Sequence, residues 1–471
     1  MKKYIFLYLI LWSLSSCNEF LSETPKGTLI PKTIEDFGLM LECGGSTNEI
    51  AKGPGIMMLM DDDVKMIDSL WKIGTCRTYG LKSYCWEEHL FTVSENDPDY
   101  NALYHTIYVC NYILNHLEGA KEGGQFTKNY VEGAARFHRA FSYLSLVNLY
   151  AKHYDPQTAE TDLGVSLKLD DNPNQVPERT TVKAVYDQIL EDATKAEKLL
   201  EDNLSTHTIR PSKAAAYALL ARIYLYRGEY EACWKAAQKA RKIIGAPLDY
   251  NTCSIRGESG NPDGGINGIN FSTNNTWNMP DVLCYKGSTQ EPMQNADYNL
   301  SDELMNLFDK DKDLRWKLFV TTFSYRQKVK DGDEPRICTF YYSKNKGLNF
   351  GEVYLTEAEA LVREGKIEEA LDVLNQLRIK RYAADSYMDI TEHDQEILLQ
   401  LILDERRREL MFKGTRWFDL KRLNKEPRFA KTITHKYLGE TYTLEPNSNR
   451  YVLPIPLKVI AANDLLEQNP R

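Results

Sequence analysis

Pro211-Ser212-Lys213-Ala214-Ala215-Ala216-Tyr217-Ala218-Leu219-Leu220-Ala221-Arg222-Ile223-Tyr224-Leu225-Tyr226-Arg227-Gly228 opens the stretch that decides the fold, and that stretch continues to Ile244. Ala214, Tyr217, Ala218, Ala221, Tyr224 and Leu225 recur at the spacing of one helical face. Ser212 is a helix N-cap candidate, and Gly228 can take the positive φ that ends a helix. A second helix then places Tyr230, Cys233, Trp234, Ala237, Arg241 and Ile244 together. A face of alanine and tyrosine lets a partner helix approach closely while rings fill the gaps.

The unit has the length of one tetratricopeptide repeat, about 34 residues. Aligned on the turn glycine, Tyr217, Leu220, Ala221, Tyr224, Gly228, Tyr230 and Ala240 resemble that repeat, with Cys233 where alanine is usual. One helical pair cannot bury both its faces, so further pairs must stack on it. Tyr354, Ala358, Leu361, Gly365, Ile367, Ala370, Leu374 and Leu377 repeat the template beyond a long interruption. Amphipathic helices are also expected from Tyr100, from a Thr127 cap, from a Thr181 cap, and over Ile397 to Phe412. A loop-rich insertion at about 248–345 separates the repeats, with Gly, Asn, Ser, Thr and Asp over 251–300 and few aliphatics. The expected fold is mostly α, with tetratricopeptide-like pairs forming one scaffold, an irregular insertion and minor β.

The chain of 471 residues carries a formal charge of -9, so no basic excess favours nucleic acid. Met1-Lys2-Lys3 and the apolar run Tyr4 to Leu14 form a targeting segment shorter than the about 20 residues needed to span a bilayer. Leu14-Ser15-Ser16-Cys17 resembles a bacterial lipobox. The expectation is a signal peptide at 1–16, cleavage before Cys17, acylation of that cysteine, and a mature body at 17–471. Glu19 near the anchor, with no aspartate beside Cys17, fits the outer membrane by analogy. No C-x-x-C and no paired histidines occur, so zinc is not expected. Cys76 with Cys85, or Cys253 with Cys284, are candidate loop bridges, while Cys110 and Cys233 read as buried small hydrophobes.

Five motifs in order resemble the SusD/RagB family of outer-membrane lipoproteins. They are Gly133-Ala134-Ala135-Arg136-Phe137-His138-Arg139-Ala140-Phe141; Arg179-Thr180-Thr181-Val182 with Tyr186-Asp187-Gln188-Ile189-Leu190; and Gly351-Glu352-Val353-Tyr354-Leu355 with Leu374-Asn375-Gln376-Leu377-Arg378. Asp404-Glu405-Arg406-Arg407-Arg408-Glu409-Leu410 with Gly414-Thr415-Arg416-Trp417-Phe418-Asp419-Leu420 is the most specific, and Pro454-Ile455-Pro456 with Gln468-Asn469-Pro470 closes the set. The resemblance implies capture of glycans, or in some members peptides, at the cell surface. It also implies a TonB-dependent SusC-like β-barrel transporter over which the lipoprotein sits. It implies no catalytic residue and no cofactor.

Sugar C–H faces stack on aromatic rings, and hydroxyls need amide, carboxylate or guanidinium partners. Two stretches offer both. The first contains Trp71, Tyr79, Trp86 and Asn96; the second contains Asn275, Trp277, Tyr285 and Trp316. Trp277 has the most polar setting, whereas Trp234 and Trp417 read as structural. Asp61-Asp62-Asp63 lacks an EF-hand pattern and reads as a solvated loop or helix start rather than a metal site. The Arg/Glu-rich run at 404–422 reads as interhelical pairing, with Arg416 and Asp419 as one pair. The chain therefore reads as a cell-surface protein that binds an oligosaccharide and delivers it to the barrel. A peptide-binding member of the same family, a lipoprotein glycosidase and a pure scaffold are the alternatives.

Overall fold

The computed structural model describes residues 31–42, 50–66, 78–255 except 173, 175–176 and 205–206, then 266–267, 280–288, 298–321, 337–338 and 345–471. The protein is mostly α. The scaffold helices are α1 (Pro98–His116), α2 (Lys128–Tyr150), α3 (Val182–Leu199), α4 (Lys213–Arg227), α5 (Tyr230–Ile244), α6 (Phe350–Arg363), α7 (Ile367–Arg378), α8 (Gln395–Glu409) and α9 (Arg416–Leu423). Each of α1 to α6 packs on the next, and α8 packs on α6. The two repeats separated by the insertion are therefore neighbours in space, through α5 against α6.

Local chemistry explains the helix ends. Ser212 Oγ accepts from Ala215 N–H, Thr127 Oγ1 from Tyr130 N–H, and Thr181 Oγ1 from Ala184 N–H. Gly228 and Gly365 both stand at φ 73°, in the left-handed region. At each, the glycine N–H reaches back three residues and the next N–H reaches back five, to Leu225 and Tyr224 in one case and to Val362 and Leu361 in the other. The same cap in both pairs is the structural signature of a repeat.

The burial of α4 differs from the one-sided face expected. Ala214 to Ala216, Ala218 to Ile223, Leu225 and Tyr226 are all buried, whereas Tyr217 and Tyr224 are half-exposed. The helix is enclosed on several sides because α3, α5 and α6 all contact it. On α5 the buried line is Cys233, Ala236, Ala237, Ala240 and Ile244, with Trp234 at its rim.

A second apolar cluster lies beside the scaffold and joins Met58, Val64, Tyr84, Leu300, Leu304, Phe319 and Phe412. Its β content is small. Val64–Met66 pairs antiparallel with Tyr298–Leu300, Val282–Cys284 pairs with Leu348–Asn349, and Ile433–Tyr437 forms a hairpin with Glu440–Leu444. Short helices occur outside the scaffold: Thr78–Tyr84 is helical, and the loop-rich insertion contains the helices Asp302–Leu307 and Leu314–Phe319. Ser301 and Asp313 cap the latter two, and Leu304, Leu318 and Phe319 anchor them in the second cluster. Cys85, Cys253 and Cys284 are free thiols, so the bridge considered between Cys253 and Cys284 is absent, and burial pushes the Cys284 thiol up to about 11.

Buried ions tie the two clusters together. On α6, Glu352 receives a two-pronged contact from Arg222, and Glu357 receives one from Arg241. Glu359 receives Arg422 of α9, and Asp419 receives both Arg406 and Arg422. The expected Arg416–Asp419 pair does not form, because Asp419 is taken by those two guanidiniums and Arg416 reaches Asp62. Arg315 is fully buried among Asp313, Glu405 and Glu409. Removing one member leaves an uncompensated buried charge. Arg315→Met is therefore expected to cost about 3–5 kcal/mol in urea unfolding. Lys195→Ala, which breaks an exposed pair with Glu191, should cost less than about 0.5 kcal/mol.

Candidate functional site

The ladder between Val64–Met66 and Tyr298–Leu300 brings the two ring-bearing stretches to one cluster. Tyr84 Oη accepts from Met66 N–H at 3.1 Å and sits beside Lys436 O at 3.3 Å. Residue 66 is itself paired with Tyr298. Leu81, Tyr84 and Cys85 from the first stretch share this cluster with Leu304, Phe308 and Trp316 from the second. The sequence pointed to two stretches but not to their adjacency.

The individual residues divide. Trp71, Asn275 and Trp277 lie outside the described residues. Trp316 is half-buried at the edge of the cluster, 5.6 Å from the Phe308 ring, with Lys310 Nζ 5.0 Å from its centroid. Lys310 was not anticipated, and its spacing to Trp316 carried no helical signal across the Asp313 cap. Tyr79 is half-buried, with its ring 5.1 Å from that of Phe91. Asn96 is exposed and accepts from Lys458 Nζ at 2.9 Å, which ties it to the C-terminal region rather than to the Trp316 cluster.

Two residues need correction as solvent-facing binders. Trp86 is only 1% exposed. Its indole N–H donates to Met60 O at 3.0 Å, and its ring stacks on His435 at 4.2 Å. Tyr285 is buried with Ala51 and Ile209, and its backbone N–H donates to Thr208 O. Each ring is enclosed by tertiary contacts, where apolar burial outweighs exposure. Trp417 is fully buried against Tyr451, as a structural residue should be.

The three aspartates also depart from expectation, because all are buried rather than solvated. Asp62 receives Arg416, Arg407 and Lys431, and Asp63 receives Arg407. Burial works to raise the Asp62 carboxyl, but Arg416, Arg407 and Lys431 outweigh it and hold it well below the usual range. The Asp61 side chain accepts from the Asp63 N–H, and burial with the other two carboxylates pushes it well up. Among the described residues no group of three His, Cys, Asp or Glu side chains is placed to hold a metal ion.

This architecture has relatives. A family model described as "Starch-binding associating with outer membrane" matches residues 64–225, and a second, "SusD family", matches 347–471. Together they span well over half of the chain. The chain belongs to the SusD/RagB family. SusD-like protein P2 of Formosa agariphila is 26% identical, with 100% of both chains covered. A SusD superfamily protein from Bacteroides thetaiotaomicron superposes with a TM-score of 0.71 at 22% identity, covering 93% of this chain and 100% of that one. A putative sugar binding protein from Bacteroides vulgatus superposes with a TM-score of 0.70 at 23% identity, covering 94% of this chain and 99% of that one.

Next to Asn96, Asp97 has a titration that can be tested. Its Oδ1 accepts from the Asp99 and Tyr100 N–H groups at the start of α1, and its Oδ2 accepts from Tyr150 Oη at 2.6 Å. Burial, and then the Asp99 charge, push its pKa up from 3.8 to about 7. A carboxyl with a raised folded pKa contributes stability fully below the unfolded value and loses it as pH rises through the folded one. Asp97→Asn keeps a cap acceptor without the titration. Between pH 4 and 7 the wild type should lose about 2–4 kcal/mol relative to this variant, read by urea unfolding across that range.

Proposed function

We propose that this SusD/RagB protein is a non-catalytic surface receptor that binds an oligosaccharide and hands it to a TonB-dependent β-barrel transporter. The observation that carries the reading is the junction of the two ring-bearing stretches at the Val64–Met66 and Tyr298–Leu300 ladder, in a fold shared with a putative sugar binding protein. In this reading residues 1–16 are a signal peptide, Cys17 is acylated, and 17–471 is the outer-membrane-anchored body. No helix among the described residues is long and apolar enough to cross a membrane.

The proposed contact surface is formed by Trp277, Trp71 and Asn275 together with the rim residues Trp316 and Tyr79. Asn96 would serve as a more distant polar contact. Trp86 and Tyr285 support the surface from behind rather than touching ligand. A ring stacked on a sugar face supplies apolar area at little cost in conformational entropy. Lys310 beside Trp316 adds a donor for a sugar hydroxyl.

Titration calorimetry against neutral oligosaccharides and a peptide panel, with hydrolysis assayed in parallel, tests this reading. Binding of a glycan without turnover is expected, and Trp277→Ala or Trp316→Ala should weaken it by about tenfold or more. Turnover, or binding of peptides alone, would sink the glycan-receptor reading. Acyl labelling should disappear in Cys17→Ala, and labelling that persists would remove the anchor.

A further inference from the structure

A cavity of about 260 Å³ lies where the end of α2, the end of α9 and the 447–452 turn meet. A single water needs about 10–15 Å³ of such space, so this cavity has room for a larger guest. Its wall is cationic. Lys152, Lys421 and Lys425 line it, and no carboxylate does. Lys152 is ion-paired with Asp162 at 2.7 Å, whereas the nearest carboxylate to Lys425, Asp155, stands at 3.7 Å. Lys421 is buried and has no carboxylate partner among the described residues. Its ammonium donates to Asn148 O at 2.5 Å and Ala151 O at 2.7 Å, the carbonyls that close α2. Those carbonyl dipoles favour a cation there but do not neutralise it.

The rest of the wall is polar and incompletely bonded. His153 Nδ1 is buried without a hydrogen-bond partner, whereas Asn424 and Tyr451, buried side by side, are close enough to serve each other. An unsatisfied buried polar atom is costly, and one in the wall of a cavity points to a guest that completes it. Burial foremost, and then Lys425, pull the Lys421 ammonium down to about 7. Burial, then Lys421, Arg422 and Lys425, pull the His153 imidazole to about 3, with Asp419 opposing. In both, burial is the larger cause and the neighbouring cations add to it.

We infer that this cavity is a second ligand site, separate from the ring-bearing surface, for a small hydroxylated anion of monosaccharide size. The lysines take the anionic group, and Asn424, Tyr451 and the Ser448-Asn449 turn take the hydroxyls. A sugar carboxylate and a sugar phosphate share this chemistry.

Calorimetry with the full mature chain and three probes, glucuronate, glucose 6-phosphate and neutral glucose, tests it. At least one anionic probe should bind, and glucose should not. Glucuronate alone assigns a carboxylate guest; glucose 6-phosphate alone assigns a phosphate guest. Lys425→Glu, at a half-exposed position, should weaken the anion by about tenfold to a hundredfold while leaving the circular dichroism spectrum unchanged. Lys421→Met should do the same, and Lys425→Glu carries the test if that buried variant does not fold. Trp277→Ala and Trp316→Ala should leave anion binding intact, which separates this site from the glycan surface. Failure of both anions to bind, equal binding of glucose, indifference to Lys425→Glu, or loss of anion binding in the tryptophan variants would each overturn the site.

Discussion

Guanidinium groups buried against carboxylates join the helical scaffold to the second cluster, and the position of the ring-bearing segments depends on that joint. Glu352, Glu357 and Glu359 emerge from α6 toward three different neighbours, α4, α5 and α9. Arginine suits the task because it stays charged and its planar fork meets a carboxylate with two parallel bonds. Apolar packing alone would permit α6 to slide by a turn against alanine-rich partners. A forked ion pair does not, since one slipped turn moves a charge about 5.4 Å from its partner in a medium that tolerates no bare ion. The network is better understood as fixing register than as a large net source of stability.

The same chemistry extends into the second cluster. Arg407 and Arg416 reach from the end of α8 and the start of α9 to Asp62 and Asp63, the residues that lead into the Val64–Met66 strand. Above them, His435 from the hairpin lies between Tyr84 and Trp86 at 4.1 and 4.2 Å. Its two ring nitrogens stand 2.7 Å from Tyr84 O and 2.9 Å from Asp61 O. A neutral imidazole can donate to one carbonyl only, and the protonated ring to both. Burial lowers the His435 pKa, while those carbonyls and Asp62 act against it. Trp86 is thus a wall of a histidine slot, which is why its ring is not available to ligand.

Helix periodicity and capping carried much of the architecture into the sequence. Ser212, Thr127, Thr181, Gly228 and Gly365 each signal a boundary within two or three residues of themselves, and each stands where that signal placed it. What the sequence hid was non-local. Nothing near Asp61-Asp62-Asp63 announces that arginines more than 340 positions later will bury it. Trp86 and Trp316 both lie in ring-bearing stretches, yet one is enclosed by a histidine from a distant hairpin and the other stands at a rim beside Lys310. Ring count marks where apolar area is concentrated, and only tertiary contacts decide which side of the ring meets water.

That sorting of rings bears on recognition. Trp417 is spent on the α9 core, and Trp234 lies at the rim of the repeat with Lys235 and Lys366 beside its ring. A sugar platform needs an open ring face with polar partners at its border. The second cluster supplies a fixed base for such a platform. The Val64–Met66 and Tyr298–Leu300 strands are three residues long, too short to be stable alone, and they hold register because Asp63 and Leu300 at their ends are locked by Arg407 and by full burial. In the proposed reading, the ordering entropy of the platform's base is met during folding, so a modest stacking contact can be converted into affinity.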